Sequence, residues 1–333
     1  MNKVIRWAFV AAAATVPLVF GPVAYSADVT HLTIVGAGKG AGAFREAGTI
    51  AETVNKNSKK INITNQESAG FVANTRMIAN GRVELALSNG VFVDYIQRKE
   101  KPFHTEKKPA TSIRGLGPGT ASWFQIVVLK ESGIKSLAEL KGKRVSMGPK
   151  GSNTAYMMEI AFKEIGIFDS VRKDYLKWGD AANYMIDGKL DSFGIPNPIP
   201  SPSVLQAATS RPITVLDVPD QVIQKFMSQS KGYFEDTPDF SVYEGMKGKK
   251  AKTVAYGVFY LVHEGVPADA VYEICKIFYD PKNRDFILSM YKNLRISLDR
   301  SQSDLFLKQM KGFNLKLHPG AERYWKERGY AVN

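Results

Sequence analysis

The sequence is poor in the residues that mark most enzyme and metal chemistries. It has one cysteine and four histidines in 333 residues. A single cysteine excludes an internal disulfide, and Cys275 lies in VYEICKIFY on the apolar side of a helical repeat, so it reads as core packing. His31, His104, His263 and His318 are scattered without ligand spacing, which argues against a catalytic zinc or other metal site. There is no G-x-S-x-G. Ser289-Met-Tyr-Lys292 matches S-x-x-K, but late in a helix and without a K-T-G partner, so it reads as coincidence. No paired carboxylates converge in the expected loops. After the first twenty residues no apolar run is long enough to span a bilayer.

Basic residues, by contrast, are plentiful. Net charge is +13; the leader described next holds two basic residues and no acid, so +11 stays with the remainder. The excess sits in patches such as 99–108 and Lys247–Lys252 that have the composition of solvated loops. They lack the aromatic interleaving of a nucleic-acid stripe, so no nucleic acid is expected. A basic surface does raise the local concentration of anionic solutes.

The amino terminus has the pattern of a secretory signal over residues 1–27. Lys3 and Arg6 are followed by a mostly apolar run from Trp7 to Phe20, a Gly21-Pro22 break, and the small residues Ala24, Ser26 and Ala27. The expectation is a protein exported to a bacterial periplasm without disulfides. The rest of the chain suits two domains with real cores.

Read in order, a unit repeats. His31–Val35 is a strand, a glycine turn follows, and a helix runs over about 43–57. Ile61–Gln66 leads through Ser68-Ala69-Gly70 into a helix at 71–80. Glu84–Ser88 leads through Asn89-Gly90 into a helix ending near Arg98. Three strand–turn–helix units predict a parallel α/β sheet with its loops gathered at the strands' carboxyl ends. A second set follows: Arg144–Met147, a helix from Thr154, a strand at Tyr175–Trp178, a helix capped by Asp180, a strand at Asp191–Ile195, a helix to Ser210, and Ile213–Val218. Ser136 to Glu139 reads as a capping box, and 229–252 as irregular. The end is helical over about 267–279, 281–292, 301–310 and 321–328. Two long apolar strands, Trp123–Lys130 and Thr253–Val262, flank the second set. They are expected to be hinges, near 123–130 and 253–260, between lobe I (28–123 and 257–333) and lobe II (124–256).

Lys141 to Thr154, KGKRVSMGPKGSNT, organises this reading. A strand delivers a glycine turn to the N-cap types Ser152 and Asn153, and a helix start is a site where an anion binds favourably. Gly36-Ala-Gly38-Lys-Gly40-Ala41 also fits the dinucleotide fingerprint, but the acid expected about twenty residues later is poorly matched: Glu52 is mid-helix and Glu67 is late. The clustered loops offer hydrogen bonding and charge instead: Lys39, Arg45, Ser68, Asn74, Asn89, Ser152, Asn153, Thr154, Asn197 and Ser201. Each, taken singly, serves equally well as a cap or turn.

The sequence resembles the TAXI family of periplasmic solute receptors of tripartite ATP-independent periplasmic (TRAP) transporters. Gly142-Lys-Arg-Val-Ser-Met-Gly-Pro-Lys-Gly-Ser152 with Thr154, Glu67-Ser-Ala-Gly-Phe-Val-Ala-Asn74-Thr-Arg76, Asp187-Gly-Lys-Leu-Asp191 and Val271-Tyr-Glu carry the likeness. It implies a two-lobed type II periplasmic-binding-protein fold, no enzymatic activity, no cofactor, and a TRAP permease as membrane partner. It also implies a small organic anion as ligand, such as glutamate or a 2-oxo-dicarboxylate. The expected ligand-binding set is Gly38, Lys39, Gly40, Phe44, Arg45, Ser68, Gly70, Asn74, Asn89, Gly151, Ser152, Asn153, Thr154, Asn197, Pro200 and Ser201. A monomer is expected. The first loop departs from the family's G-S/T-x-G-G-x-Y-Y-P-x-G: Phe44 and Arg45 stand at the tyrosines and no proline follows, so ligand identity should be sought there. A secreted sensor of the same fold is the alternative reading, and a dinucleotide enzyme a more distant one.

Overall fold

A computed structural model describes residues 29–106 and 110–332. The expected signal sequence lies outside them. The chain runs β1 (Thr30–Val35), α1 (Gly42–Asn57), β2 (Ile61–Gln66), α2 (Phe71–Ala79), β3 (Leu85–Asn89) and α3 (Gly90–Arg98), and then enters the long β4 (Ile113–Leu129). A second series follows: β5 (Arg144–Ser146), α4 (Asn153–Glu164), β6 (Arg172–Asp174), α5 (Trp178–Ile186), β7 (Ser192–Asn197), α6 (Pro202–Ser210), β8 (Ile213–Val215), α7 (Asp220–Gln229) and β9 (Tyr233–Asp236). The chain returns through β10 (Thr253–His263) and ends in α8 (Ala268–Phe278), α9 (Arg284–Met290), α10 (Arg300–Gly312) and α11 (Pro319–Glu327).

The strands form a path β2-β1-β3-β10-β4-β7-β5-β6. β1 is parallel to β2 and β3, and β5 is parallel to β6 and β7. Between these two parallel halves run β10 and β4, antiparallel to each other and to their outer neighbours. The first part of β4 pairs with β10 and its last part with β7 and β8, so a single extended strand passes from one half to the other. β10 is buried at nearly every position, Thr253 to Val262, because helices cover both faces. That explains its unbroken apolar reading: a strand covered on both sides has no polar alternation to show.

The local reasons are in the sequence. α1 buries Ala43, Glu46, Ala47, Ile50, Ala51 and Val54, a three-and-four spacing that lays one stripe on the sheet. Gly36 lets that helix sit close: a Cβ there would lie 2.6 Å from the carbonyl carbon of Ala43. Asn89 caps α3, accepting from Phe92 N at 2.8 Å, and Ser152 caps α4, accepting from Ala155 N at 3.0 Å.

Several expectations are corrected. The hinge strand read as Trp123–Lys130 begins ten residues earlier, at Ile113, in a Gly/Pro-rich run that hides strand character. Tyr175–Trp178 is not a strand; Trp178 opens α5, Lys177 is its cap residue, and Asp180 sits in the first turn. Ser136 introduces only a single 3-10 turn, Leu137–Leu140, although its hydroxyl does donate to Glu139 at 2.9 Å. The segment 229–252, read as irregular, contains β9, and α7 just before it went unread.

Candidate functional site: the cleft between the two halves

The carboxyl ends of the parallel strands in both halves face each other across β4 and β10. Each delivers a turn and a helix start to this seam. α1 and α2 begin at Gly42 and Phe71 without a side-chain cap. α4 begins opposite them from the second half.

The halves touch through a few specific contacts. Gly42 N donates to Asn197 Oδ1 at 3.1 Å, and Ala73 N donates to the Gly151 carbonyl at 3.0 Å. Lys177 bridges to Glu67 at 3.1 Å, and this hydrogen bond holds the Glu67 carboxyl below its ordinary value. Asn153 donates to the Tyr256 hydroxyl on β10. Two glycines permit backbone to approach backbone: a Cβ on Gly40 would stand 2.7 Å from Gly179 N, and one on Gly70 would stand 3.2 Å from Ser152 Cβ. Both have positive φ, +87° and +116°, which glycine alone adopts without strain.

A small cavity of about 20 Å³ remains in this seam, room for about one water. Ala37, Ala41, Ala43, Phe71, Val258 and Trp178 form its apolar walls, and Glu46, Thr120, Ser122, Asn153 and Asn197 its polar ones. Its lining holds no lysine, arginine or histidine among the described residues. Glu46 is 1% exposed. Its Oε1 accepts from Thr120 N at 3.0 Å and from Tyr260 OH at 2.7 Å, and its Oε2 accepts from Thr120 Oγ1 at 2.8 Å. Burial pushes the carboxyl above its ordinary value, against the opposing pull of the bonds from Tyr260 and Thr120. Thr120 is free to bond Glu46 because the β4–β10 register slips there, between Gly257 and Phe259.

The expected site residues divide into groups. Asn153 and Asn197 line the cavity. Asn197 also donates to Ser201 Oγ at 2.8 Å, and Ser201 N donates to the Tyr243 hydroxyl at 2.6 Å, so Ser201 supports the wall from behind. Gly38, Gly40, Gly70, Gly151, Ser152 and Thr154 lie at the seam. Thr154 accepts from Trp178 Nε1 at 3.1 Å, and the Pro200 carbonyl accepts from Asn293 at 3.0 Å. Ser68 bonds its own turn, accepting from Gly70 N at 3.2 Å. Asn89 is fully buried as a cap, and its Nδ2 has no partner among the described residues.

Four of the expected contacts are placed elsewhere. Arg45 is exposed on α1, because the stripe that buries Glu46 turns its neighbour outward. Phe44 is half-buried and is not among the cavity residues. Lys39 is 78% exposed and pairs with Glu67 at 3.7 Å. Asn74 is a structural clamp: its Nδ2 donates to the carbonyls of Gly36 at 2.7 Å and Leu87 at 2.8 Å, tying β1 to β3.

Glu46, Thr120, Ser122 and Trp178 escaped the sequence reading. Glu46 was findable, as the one acid on an otherwise apolar helical stripe. Thr120 and Ser122 sit in LGPGTAS, whose glycines and proline mask a strand.

Two parallel α/β halves, joined by long antiparallel crossing strands and closing on a seam of glycine turns and helix starts, define a two-lobed type II periplasmic-binding-protein fold. The chain belongs to the NMT1-like family, whose model matches residues 34–329. Among solved structures it is similar to the periplasmic aliphatic sulphonate-binding protein SsuA of Escherichia coli, at 16% identity over 91% of this chain and 80% of that one, with a TM-score of 0.40. It is also similar to the alkanesulfonate-binding protein SsuA of Xanthomonas axonopodis pv. citri bound to MOPS (15% identity, 90% and 85% covered, TM-score 0.44). A third similar structure is a periplasmic transporter (13% identity, 88% and 99% covered, TM-score 0.49).

Proposed function

We propose that this chain is an exported receptor that captures a small organic anion between its two halves and presents it to a membrane permease of the TRAP type. The observation that carries the reading is the seam itself. The starts of α1 and α2, which their own N-cap residues leave uncapped, and the start of α4 converge there on buried amides and hydroxyls. Such a site satisfies a carboxylate by backbone N–H groups and helix dipoles, without a lysine or arginine. The motif likeness to TAXI receptors supports the permease class, and the amino-terminal leader pattern supports a periplasmic location.

A solute of several heavy atoms needs more room than about 20 Å³. It therefore displaces part of the cavity wall, and its contacts replace some of the cross-seam bonds. Ligand contacts present only in the closed form shift the open–closed equilibrium, and that shift is what a permease reads.

The test is thermal unfolding of ligand-stripped protein against a panel of small carboxylates and amino acids. A solute present at a hundred times its dissociation constant adds about 2.7 kcal/mol of stability. A panel that produces no stabilisation at millimolar concentration rejects the reading.

A further inference from the structure

Glu46 poses a problem for an anion receptor. Its carboxyl is sealed in the wall of the same cavity, and among the described residues no cationic side chain lines that cavity. Two like charges held side by side in a site with so little water repel strongly. The three hydrogen bonds Glu46 accepts satisfy its lone pairs but do not supply a positive charge. The ionisable groups that face it are Tyr260 on β10, Tyr279 after α8 and Tyr291 after α9, all of them neutral donors in the ordinary pH range. Arg45 on its own helix is exposed.

We propose that the solute is bound together with one proton, held on the Glu46 carboxyl. Resting on the anion-receptor reading above, this makes the cleft a site for a proton–anion pair. The bonds from Thr120 and Tyr260 come from Glu46's own half, so they persist when the cleft opens, and what closure adds beside the carboxylate is the charge of the solute. As the halves close over an anionic solute, the carboxylate takes one proton from solvent, becoming a carboxylic acid. Thr120 Oγ1 and Tyr260 OH, both able to accept as well as donate, lie within 2.8 Å of it to receive that O–H if the solute does not. The direction agrees with the effect of burial on this group.

The experiment is titration calorimetry on the mature chain with 2-oxoglutarate, succinate and glutamate as probes, in phosphate and in Tris, from pH 5.5 to 8.5. The proposal expects net uptake of up to one proton per solute, and an affinity that falls up to tenfold per pH unit on the alkaline side. Glu46→Gln, a neutral side chain of the same shape, should bind with the low-pH affinity at every pH and take up no proton. Pure structural damage would instead weaken binding equally at all pH values. Wild-type binding that is independent of pH, or that releases a proton as a cationic solute group would require, overturns the proposal. Absence of binding by all three probes removes the anion-receptor reading and the proposal with it.

Discussion

Gly40→Ala tests whether the two halves meet as described. An ideal Cβ on Gly40 stands 2.7 Å from Gly179 N, 3.1 Å from Gly179 Cα and 3.6 Å from the Trp178 carbonyl carbon. All three are backbone atoms of α5 in the opposite half, so no rotamer relieves the overlap. Two costs follow, and they separate. The positive φ of +87° costs about 1–2 kcal/mol for alanine in open and closed forms alike. It therefore lowers the melting point but leaves closure unaffected. The overlap costs about 1–3 kcal/mol, the usual range for overpacking, and only in the closed form. Solute affinity should consequently fall about 5- to 150-fold. Gly179→Ala is the matched control: its Cβ meets nothing within 4 Å, and in a helix the change should stabilise the protein by roughly 0.5–1 kcal/mol without altering affinity. Calorimetric affinity for the best solute of the panel, beside thermal melts of the unliganded variants, reads both costs. An unchanged affinity in Gly40→Ala, with only the melting point lowered, would refute the contact between this loop and α5 in the bound form.

Other outcomes are expected. Asn74→Ala should cost about 2–4 kcal/mol in urea unfolding, because it strands two buried carbonyls, and the folded remainder should keep its solute affinity. Arg45→Ala should change affinity less than threefold by calorimetry, since the side chain is exposed outside the cavity. The Cys275 thiol, fully buried with its ionisation suppressed by that burial, should resist a thiol-reactive disulfide reagent in the native protein. It should react as the chain unfolds in urea, and fast native-state labelling would contradict its placement.

The elements were legible wherever burial followed a simple period. β1, β2 and the helices α1 to α3 fall within one or two residues of their expected bounds, because each pairs one apolar face with one polar face. The crossing arrangement followed from two long apolar runs that flank the second α/β set. Legibility failed where residues of small volume carry strand geometry. β4 passes through Gly115, Gly117, Pro118 and Gly119 before reaching its apolar half, and a Cβ on Gly117 would stand 2.8 Å from the Tyr279 ring. Those glycines serve helices packed across the strand, a tertiary reason that no local window contains.

The site shows the same division at finer scale. The glycine turns set backbone against the other half of the protein, at Gly40 against Gly179 and Gly70 against Ser152. Side-chain type was a poorer guide. Lys39 and Arg45 have the charge an anion wants, but both are exposed, where water screens them. The charged group buried at the cavity is Glu46, of the opposite sign, because α1's stripe selects what is buried by position and not by charge. On the reading proposed above, the receptor's positive potential comes from helix starts and its neutrality from a proton. Its affinity should then depend on pH through one buried carboxyl more than on ionic strength through its many surface lysines.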